Sequence, residues 1–200
     1  MSGVGHGSSG YEIERKWRLH RLPDRLVGAD PGSDIECLRI RQGYLPPAED
    51  ADFAAFANAS GVDVPRVGRI RSMEGRGGIS GIRFIHTLKS GSGLVRREAE
   101  RELVREAFEA AWPLTKGRRI EKVRWRIAEN DVIWEVDRFD GVADLGLETG
   151  DLVLLEAEAA DPVEARNLRP PAWLEEVIDR EVTDDPAFTN AEIAFRGRPC

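Results

Sequence analysis

Glu12, Glu14 and Lys16 alternate with Ile13 and Trp17, and segment after segment of this chain repeats the arrangement. Arg69 and Arg71 flank Ile70, Thr87 and Lys89 flank Leu88, and Arg96, Glu98, Glu100 and Glu102 fall at every second position. Lys122, Arg124 and Arg126 alternate with Val123, Trp125 and Ile127; Glu135 and Asp137 alternate with Trp134 and Val136; Glu156 and Glu158 follow Leu152 and Leu154. Residues two apart share a face of a β-strand, so each segment predicts a strand with one charged and one apolar face. A single strand of this kind says little, because the wet side of any antiparallel sheet looks the same. The recurrence says more. A solvated face mixes Thr, Ser and Gln among its charges, whereas here bare carboxylates and cations return on one face and large apolar side chains on the other. The charged faces are therefore expected to converge on a shared concave surface. Isolated charges there would cost on the order of several kcal/mol each, so acids and bases must offset one another and await an ionic ligand.

Gly- and Pro-rich punctuation separates the segments and places about eight strands, over 11–19, 35–45, 67–73, 82–89, 95–104, 119–127, 132–139 and 152–159. Helical spacing is predicted over 103–112, ended by Pro113, and short helices over 162–168, 171–178 and around 191–195. The acidic, alanine-rich stretch 48–64 reads equally as a short helix around Phe53 and Phe56 or as a long loop, in either case a candidate lid over one mouth of the sheet. No βαβ rhythm and no solenoid period is present. The expectation is an all-β dominated fold with flanking short helices: a closed eight-stranded antiparallel barrel of one domain over 11–200, behind a flexible leader over 1–10.

Net charge is -7, so no global basic field recruits nucleic acid or an anionic membrane, and an anion can be held only by locally clustered Arg and Lys. The leader lacks both a basic start and an apolar run, and no segment approaches a membrane span. Cys37 and Cys200 stand in neither a metal-ligand nor a redox spacing and read as thiols of a reducing, cytoplasmic compartment. His6, in the leader, carries no expected role.

The residues expected to line the charged surface are the acids Glu12, Glu14, Glu98, Glu100, Asp137, Glu156 and Glu158 and the bases Lys16, Arg69, Arg71, Lys89, Arg96, Lys122 and Arg124. Carboxylates alone would suggest a metal site and bases alone an anion site. Together they suit hard divalent cations beside a polyphosphate held by guanidinium and ammonium groups. The alternative for each acid is a salt bridge with no metal contact, and for each base charge balance only. Glu102 and Arg126, near strand ends, read as charge balance. Trp125 and Trp134 read as packing beneath helices.

Glu12-Ile13-Glu14-Arg15-Lys16 matches the Glu-x-Glu-x-Lys signature of the CYTH, or triphosphate tunnel metalloenzyme, superfamily. The resemblance extends through Arg41-Gln42-Gly43-Tyr44-Leu45, Arg69-Ile70-Arg71, Thr87-Leu88-Lys89, Arg96-x-Glu98-x-Glu100, Glu121-Lys122-x-Arg124, Trp134-Glu135-Val136-Asp137, Glu156-x-Glu158 and Glu181-Val182-Thr183-Asp184-Asp185-Pro186 with Asn190. It implies an eight-stranded tunnel that uses Mg²⁺ or Mn²⁺, as two ions, on a triphosphate. Among the superfamily's activities the Gln-Gly-Tyr-Leu stretch and the C-terminal motif are most similar to bacterial inorganic tripolyphosphatases, in which a Lys and Tyr pair matching Lys16 and Tyr44 is implicated in the chemistry. Arg41 joins the expected substrate-binding set. Parity is in conflict here, since Arg41 and Tyr44 cannot share a face of a regular strand unless Gly43 forms a bulge. The expected partner is a small-molecule triphosphate, with no nucleic acid and no membrane, and a homodimer is left open. Thiamine triphosphatase, class IV adenylyl cyclase and, in another class, a non-catalytic polyphosphate-binding module remain alternative readings.

Overall fold

Alternation of charged with β-branched, aromatic and aliphatic residues produces antiparallel strands wherever it was found. In the computed structural model, residues 8–27, 35–47, 55–56, 58–75, 81–90, 95–142 and 152–199 are described, with the side chains of 8–12, 95 and 96 excepted. The strands are β1 (Ser8–Leu19), β2 (Ile35–Tyr44), β3 (Arg69–Gly75), β4 (Arg83–Ser90), β5 (Val95–Glu102), β6 (Arg119–Glu129), β7 (Val132–Gly141), β8 (Val153–Glu158) and β9 (Ile178–Glu181). They form one sheet in the order β5-β4-β3-β2-β6-β7-β8-β1-β9. β1 makes a further pairing: residues 8–13 lie against β5, while 14–19 lie against β8. The architecture is thus mostly antiparallel sheet with a few short helices. Between β6 and β7, Asn130 and Asp131 take φ of 55° and 61°, the left-handed pair that a two-residue hairpin requires.

The apolar face is covered by helices. Trp17, Trp125, Ile127, Trp134, Val136 and Leu155 pack with Leu168, Leu174 and Val177, which come from and follow helices α2 (Pro162–Asn167) and α3 (Ala172–Glu175). The rings of Trp17 and Trp134 lie 6.0 Å apart, so both expected packing tryptophans, Trp125 and Trp134, belong to this layer. Helix α1 (Arg105–Ala111) lays Ala107, Phe108 and Ala111 over Ile70 and Phe84. Burying each large side chain contributes about 1.5–3 kcal/mol, which is why these short helices hold. Arg15 ties two layers together, donating to both carboxylate oxygens of Glu181 on β9 at 2.9 and 2.6 Å and to the carbonyls of Ala165 and Leu168.

Helix α4 (Asn190–Arg196) does something different. Its Ile193 and Ala194, with Val182 and Phe188, pack against Ile120, Phe139, Leu152 and Leu154. Ile120, Phe139 and Leu154 share the sheet face of Lys122, Asp137 and Glu156. One end of the charged face is therefore apolar and covered by the C-terminal segment.

Several sequence expectations change. Ser8–Gly10 belong to β1, not to a leader, and the segment read as a helix over 171–178 is a single turn followed by β9. Residue 43 forms no bulge, since β2 runs in unbroken register with β3 and β6. Glycine is needed there for another reason: a Cβ on Gly43 would stand 2.5 Å from Thr115 Oγ1, so the turn after α1 can close onto the strand only if position 43 is bare. The glycine-rich turns at 76–80 and 91–94, residues 48–54, His6 and Cys200 lie outside the described residues. Among those described, no helix is long and apolar enough to cross a membrane.

The described part of the β2–β3 connection sits on the outer face of β4 and β5, opposite the charged one, and there it lids nothing. Arg101, opposite His86 on the neighbouring strand, donates to the carbonyls of Ser60 and Asp63 and to His86 Nδ1 at 3.3 Å. His86 Nε2 in turn lies 2.8 Å from the Val67 carbonyl, which makes Nε2 the protonated nitrogen and leaves Nδ1 as an acceptor. Burial, followed by the charge of Arg101, lowers His86 from 6.5 to about 4. An unfolded chain binds this proton below pH 6.5 and the folded chain only near pH 4, so stability is complete above the first value and falls towards the second. The expected loss from this residue is about 2–3 kcal/mol. Denaturant titrations of wild type and His86→Asn at pH 7 and pH 4.5 measure it: the wild type should lose more than the variant, and equal losses would reject the assignment.

Candidate active site

Opposed residues of antiparallel neighbours share a face, so register alone assembles the site. Tyr44 stands opposite Arg69, Gln42 opposite Arg71, Arg69 opposite Thr87, Thr87 opposite Glu100 and Lys89 opposite Glu98. Farther along the strand order, on the same face, Lys16 stands opposite Glu156, Glu14 opposite Glu158, Glu135 opposite Glu156 and Arg124 opposite Asp137.

Two clusters result. In the first, Arg69 Nη2 donates to Thr87 Oγ1 and Glu98 Oε1, each at 3.2 Å, Arg71 donates to Glu100, and Lys89 Nζ lies 2.8 Å from Glu98 Oε2. Burial would raise the Glu100 carboxyl, but Arg71 and Arg69 outweigh it and hold it at about 2. Arg71 is pushed the opposite way, down to about 10, by burial and then by Arg69 beside it. Its Nε is buried with no hydrogen-bond partner among the described residues. Two guanidinium groups side by side, one with a buried donor unused, form a local positive excess that an anion would relieve.

The second cluster is more completely paired. Arg124 donates to Asp137 at 2.7 and 2.6 Å, to Glu156 at 2.7 Å and to Glu135. Lys122 Nζ donates to Asp137 Oδ2 and to Asn190 Oδ1, the latter at 3.2 Å. Lys16 Nζ sits between Glu14 at 3.0 Å and Glu156 at 2.9 Å. Burial alone would lower the Lys16 ammonium, yet Glu156 and Glu14 raise it above its ordinary value, so it stays charged. For Lys122 burial, reinforced by Arg124, wins and lowers it to about 8. Glu156, despite burial, is held well below 4.5 by Lys16 and Arg124.

Tyr44 lies between the clusters. Burial raises its phenol to about 12, against the opposing pull of Arg69, Lys16 and Arg71. Gln42 Nε2 donates to its oxygen at 2.6 Å, which leaves the phenolic proton available to another acceptor.

With this geometry established, relatives become informative. No protein-family model matches the chain. Over 185 residues, 92% of this chain and 97% of the relative, it is 32% identical to the inorganic triphosphatase of Nitrosomonas europaea. The chain belongs to the inorganic triphosphatase family. A second inorganic triphosphatase of that family, from Acetivibrio thermocellus, is 36% identical over 103 residues, which is 51% of this chain and 58% of the relative. A solved structure described as an inorganic triphosphatase matches at a TM-score of 0.51 with 26% identity, over 94% of this chain and 97% of that one.

Measured against the family signature, the charged face gathers Glu14, Lys16, Tyr44, Arg69, Arg71, Lys89, Glu98, Glu100, Lys122, Arg124, Asp137 and Glu156. Glu158 joins by register but is exposed. The side chains of Glu12 and Arg96 lie outside the described residues; their backbones stand opposite each other on β1 and β5. Arg41 is not brought to the site. It projects from the other face, 4.7 Å from the Trp112 ring and 3.5 Å from Glu121, into a separate cavity of about 520 Å³ beside Phe108. The parity conflict is thus decided in favour of Tyr44. Sequence reasoning missed Gln42, although the face shared by Tyr44 and residue 42 was the available clue. It also left Glu135 and Asn190 without a role; Glu135 could have been found from its alternation with Asp137, whereas Asn190 entered only with the C-terminal motif of the resemblance and no periodicity places it on Lys122.

Proposed function

We propose that this chain is a metal-dependent triphosphate hydrolase that releases orthophosphate from inorganic tripolyphosphate inside a closed, eight-stranded antiparallel tunnel. Closure is supported by the double pairing of β1, which lies against β8 and also against β5 at the far end of the strand order. The observation that carries the reading is the neighbouring pair on one face, a buried Arg69 and a half-buried Arg71 whose Nε is enclosed and unused among the described residues. The non-bridging oxygens of a polyphosphate, dense in charge and unprotonated, suit that pair.

In this reading Arg69, Arg71, Lys89, Lys122 and Arg124 hold phosphate oxygens, joined by Arg96 from its place in the register. Lys16 and Tyr44 polarise the terminal phosphoryl group. Neither is a base: the ammonium is held charged and the phenol is protonated at neutral pH, so both act as donors to charge that grows during transfer. Two Mg²⁺ or Mn²⁺ ions are the proposed cofactors. Glu12, Glu14, Glu98, Glu100, Asp137, Glu156 and Glu158 offer the hard oxygen donors these ions take. Among the described residues no three such groups are gathered at ligand spacing. The like-charged pairs Glu14 with Glu158 and Glu135 with Glu156, opposed in register, are nonetheless what a cation between them would stabilise. When bound, the ions supply charge neutralisation on the phosphate oxygens and acidify water.

Phosphate release from tripolyphosphate, ATP and thiamine triphosphate, with Mg²⁺, Mn²⁺ or a chelator, tests the proposal. Tripolyphosphate should turn over fastest and the chelator should abolish release. Cyclic AMP from ATP would replace the reading with a cyclase, and tight tripolyphosphate binding without turnover would replace it with a binding module.

A further inference from the structure

Lys122 is 2% exposed and its partner Asp137 0%, so the ammonium has no water to fall back on and each of its donors must find a protein or ligand acceptor. Asp137 takes one, and a second reaches Asn190 Oδ1 at 3.2 Å. That oxygen comes from a distant part of the chain, the first turn of helix α4. The helix does not depend on it. Thr189 caps α4 by accepting from the Glu192 amide at 3.2 Å, and Ile193 and Ala194 are fully buried against Ile120, Phe139 and Leu154. Apolar packing thus fixes the helix, and the helix fixes the amide.

A lysine ammonium is a point charge on a four-carbon stem and keeps its place only where acceptors define it. Arg124, one position along the same strand face, repels it, and Asp137, shared with Arg124, does not specify a single position for it. A second, neutral acceptor carried by a different element, the Asn190 carbonyl oxygen at 3.2 Å, does.

We propose that Asn190 is a positioning residue for substrate: its side-chain carbonyl holds the Lys122 ammonium in place so that the remaining donor is presented to a phosphate oxygen. The C-terminal helix is then part of the binding apparatus as well as a cover for one end of the charged face. This rests on the triphosphatase reading above.

A double-mutant cycle tests it with the full chain and tripolyphosphate plus Mg²⁺. Wild type, Asn190→Ala, Lys122→Met and the double variant are compared by kcat and KM. Asn190→Ala should lower kcat/KM about tenfold, and less than about twofold once Lys122 is methionine. Asn190→Asp, isosteric and still an acceptor, should stay within about threefold of wild type. An equal loss from Asn190→Ala in both backgrounds would show a structural role only and overturn the inference, as would failure of the aspartate to restore activity. Wild type is measured first: absence of phosphate release there overturns the triphosphatase reading itself and this inference with it, a result distinct from an additive cycle in an active enzyme.

Discussion

Arg124→Met should lower the free energy of unfolding by about 3 kcal/mol at pH 7.5. Arg124 is 8% exposed, and its guanidinium serves Glu135, Asp137 and Glu156 together. Removing it leaves three carboxylates in a cavity with one base fewer, and a buried charge stripped of a partner is costly in a way a surface pair is not. The estimate sits at the low end of such losses because each acid keeps another partner: Arg126 at 3.0 Å from Glu135, Lys122 on Asp137 and Lys16 at 2.9 Å from Glu156. The pH dependence follows from Glu156. Its folded pKa is depressed well below 4.5, so the stabilisation it contributes is present above that value and disappears as pH falls through the folded one. The gap between wild type and variant should therefore be widest at neutral pH and narrow on acidification, as Glu156, held less firmly without Arg124, takes up a proton. Urea titrations at pH 7.5 and pH 4 measure both quantities. A neutral-pH loss below about 1 kcal/mol, or a gap that does not change with pH, would show that the cluster is not held by its central arginine.

How far the sequence anticipated this arrangement depends on the kind of signal each residue leaves. Glu14, Lys16, Lys122, Arg124, Asp137 and Glu156 were legible because a period of two separates charge from Ile13, Trp17, Val123, Trp125 and Val136. The stretch Arg41-Gln42-Gly43-Tyr44 was not, because polar residues occupy both faces there and only pairing with β3 decides which side is which. Gly43 misled for a related reason: its small size answers Thr115, seated on it by the turn after α1, and nothing near residue 43 announces that contact. β9 escaped because four residues carry too little pattern, and its strand form comes from the free edge of β1. Asn190 is the extreme case. It meets Lys122 across 68 positions, joined by the packing of α4 rather than by any periodicity. The family resemblance supplied the order of the motifs, and register supplied their convergence.

Lys16→Met is expected to have the largest catalytic effect, lowering kcat with tripolyphosphate about 100- to 1000-fold. Two losses combine. The ammonium is held charged by Glu14 and Glu156, so it is a fixed donor toward a phosphoryl group gaining negative charge, and its removal takes that donor away. The same removal leaves Glu14 and Glu156 with one cation fewer beside the substrate, Glu156 keeping only Arg124 at 2.7 Å of its two close cations, so the surface attracts the anion less. Lys89 offers the comparison. It is also paired with a carboxylate, Glu98 at 2.8 Å, but its side chain is 28% exposed, against 8% for Lys16, and water can replace much of what it provides. Lys89→Met should therefore raise KM with kcat reduced no more than about tenfold. Steady-state kinetics on both variants, with circular dichroism to verify the fold, separates the roles. A folded Lys16→Met enzyme within about threefold of wild-type kcat, or a greater fall in kcat for Lys89→Met, would move the chemistry away from the second cluster and onto the Arg69 and Arg71 side of the sheet.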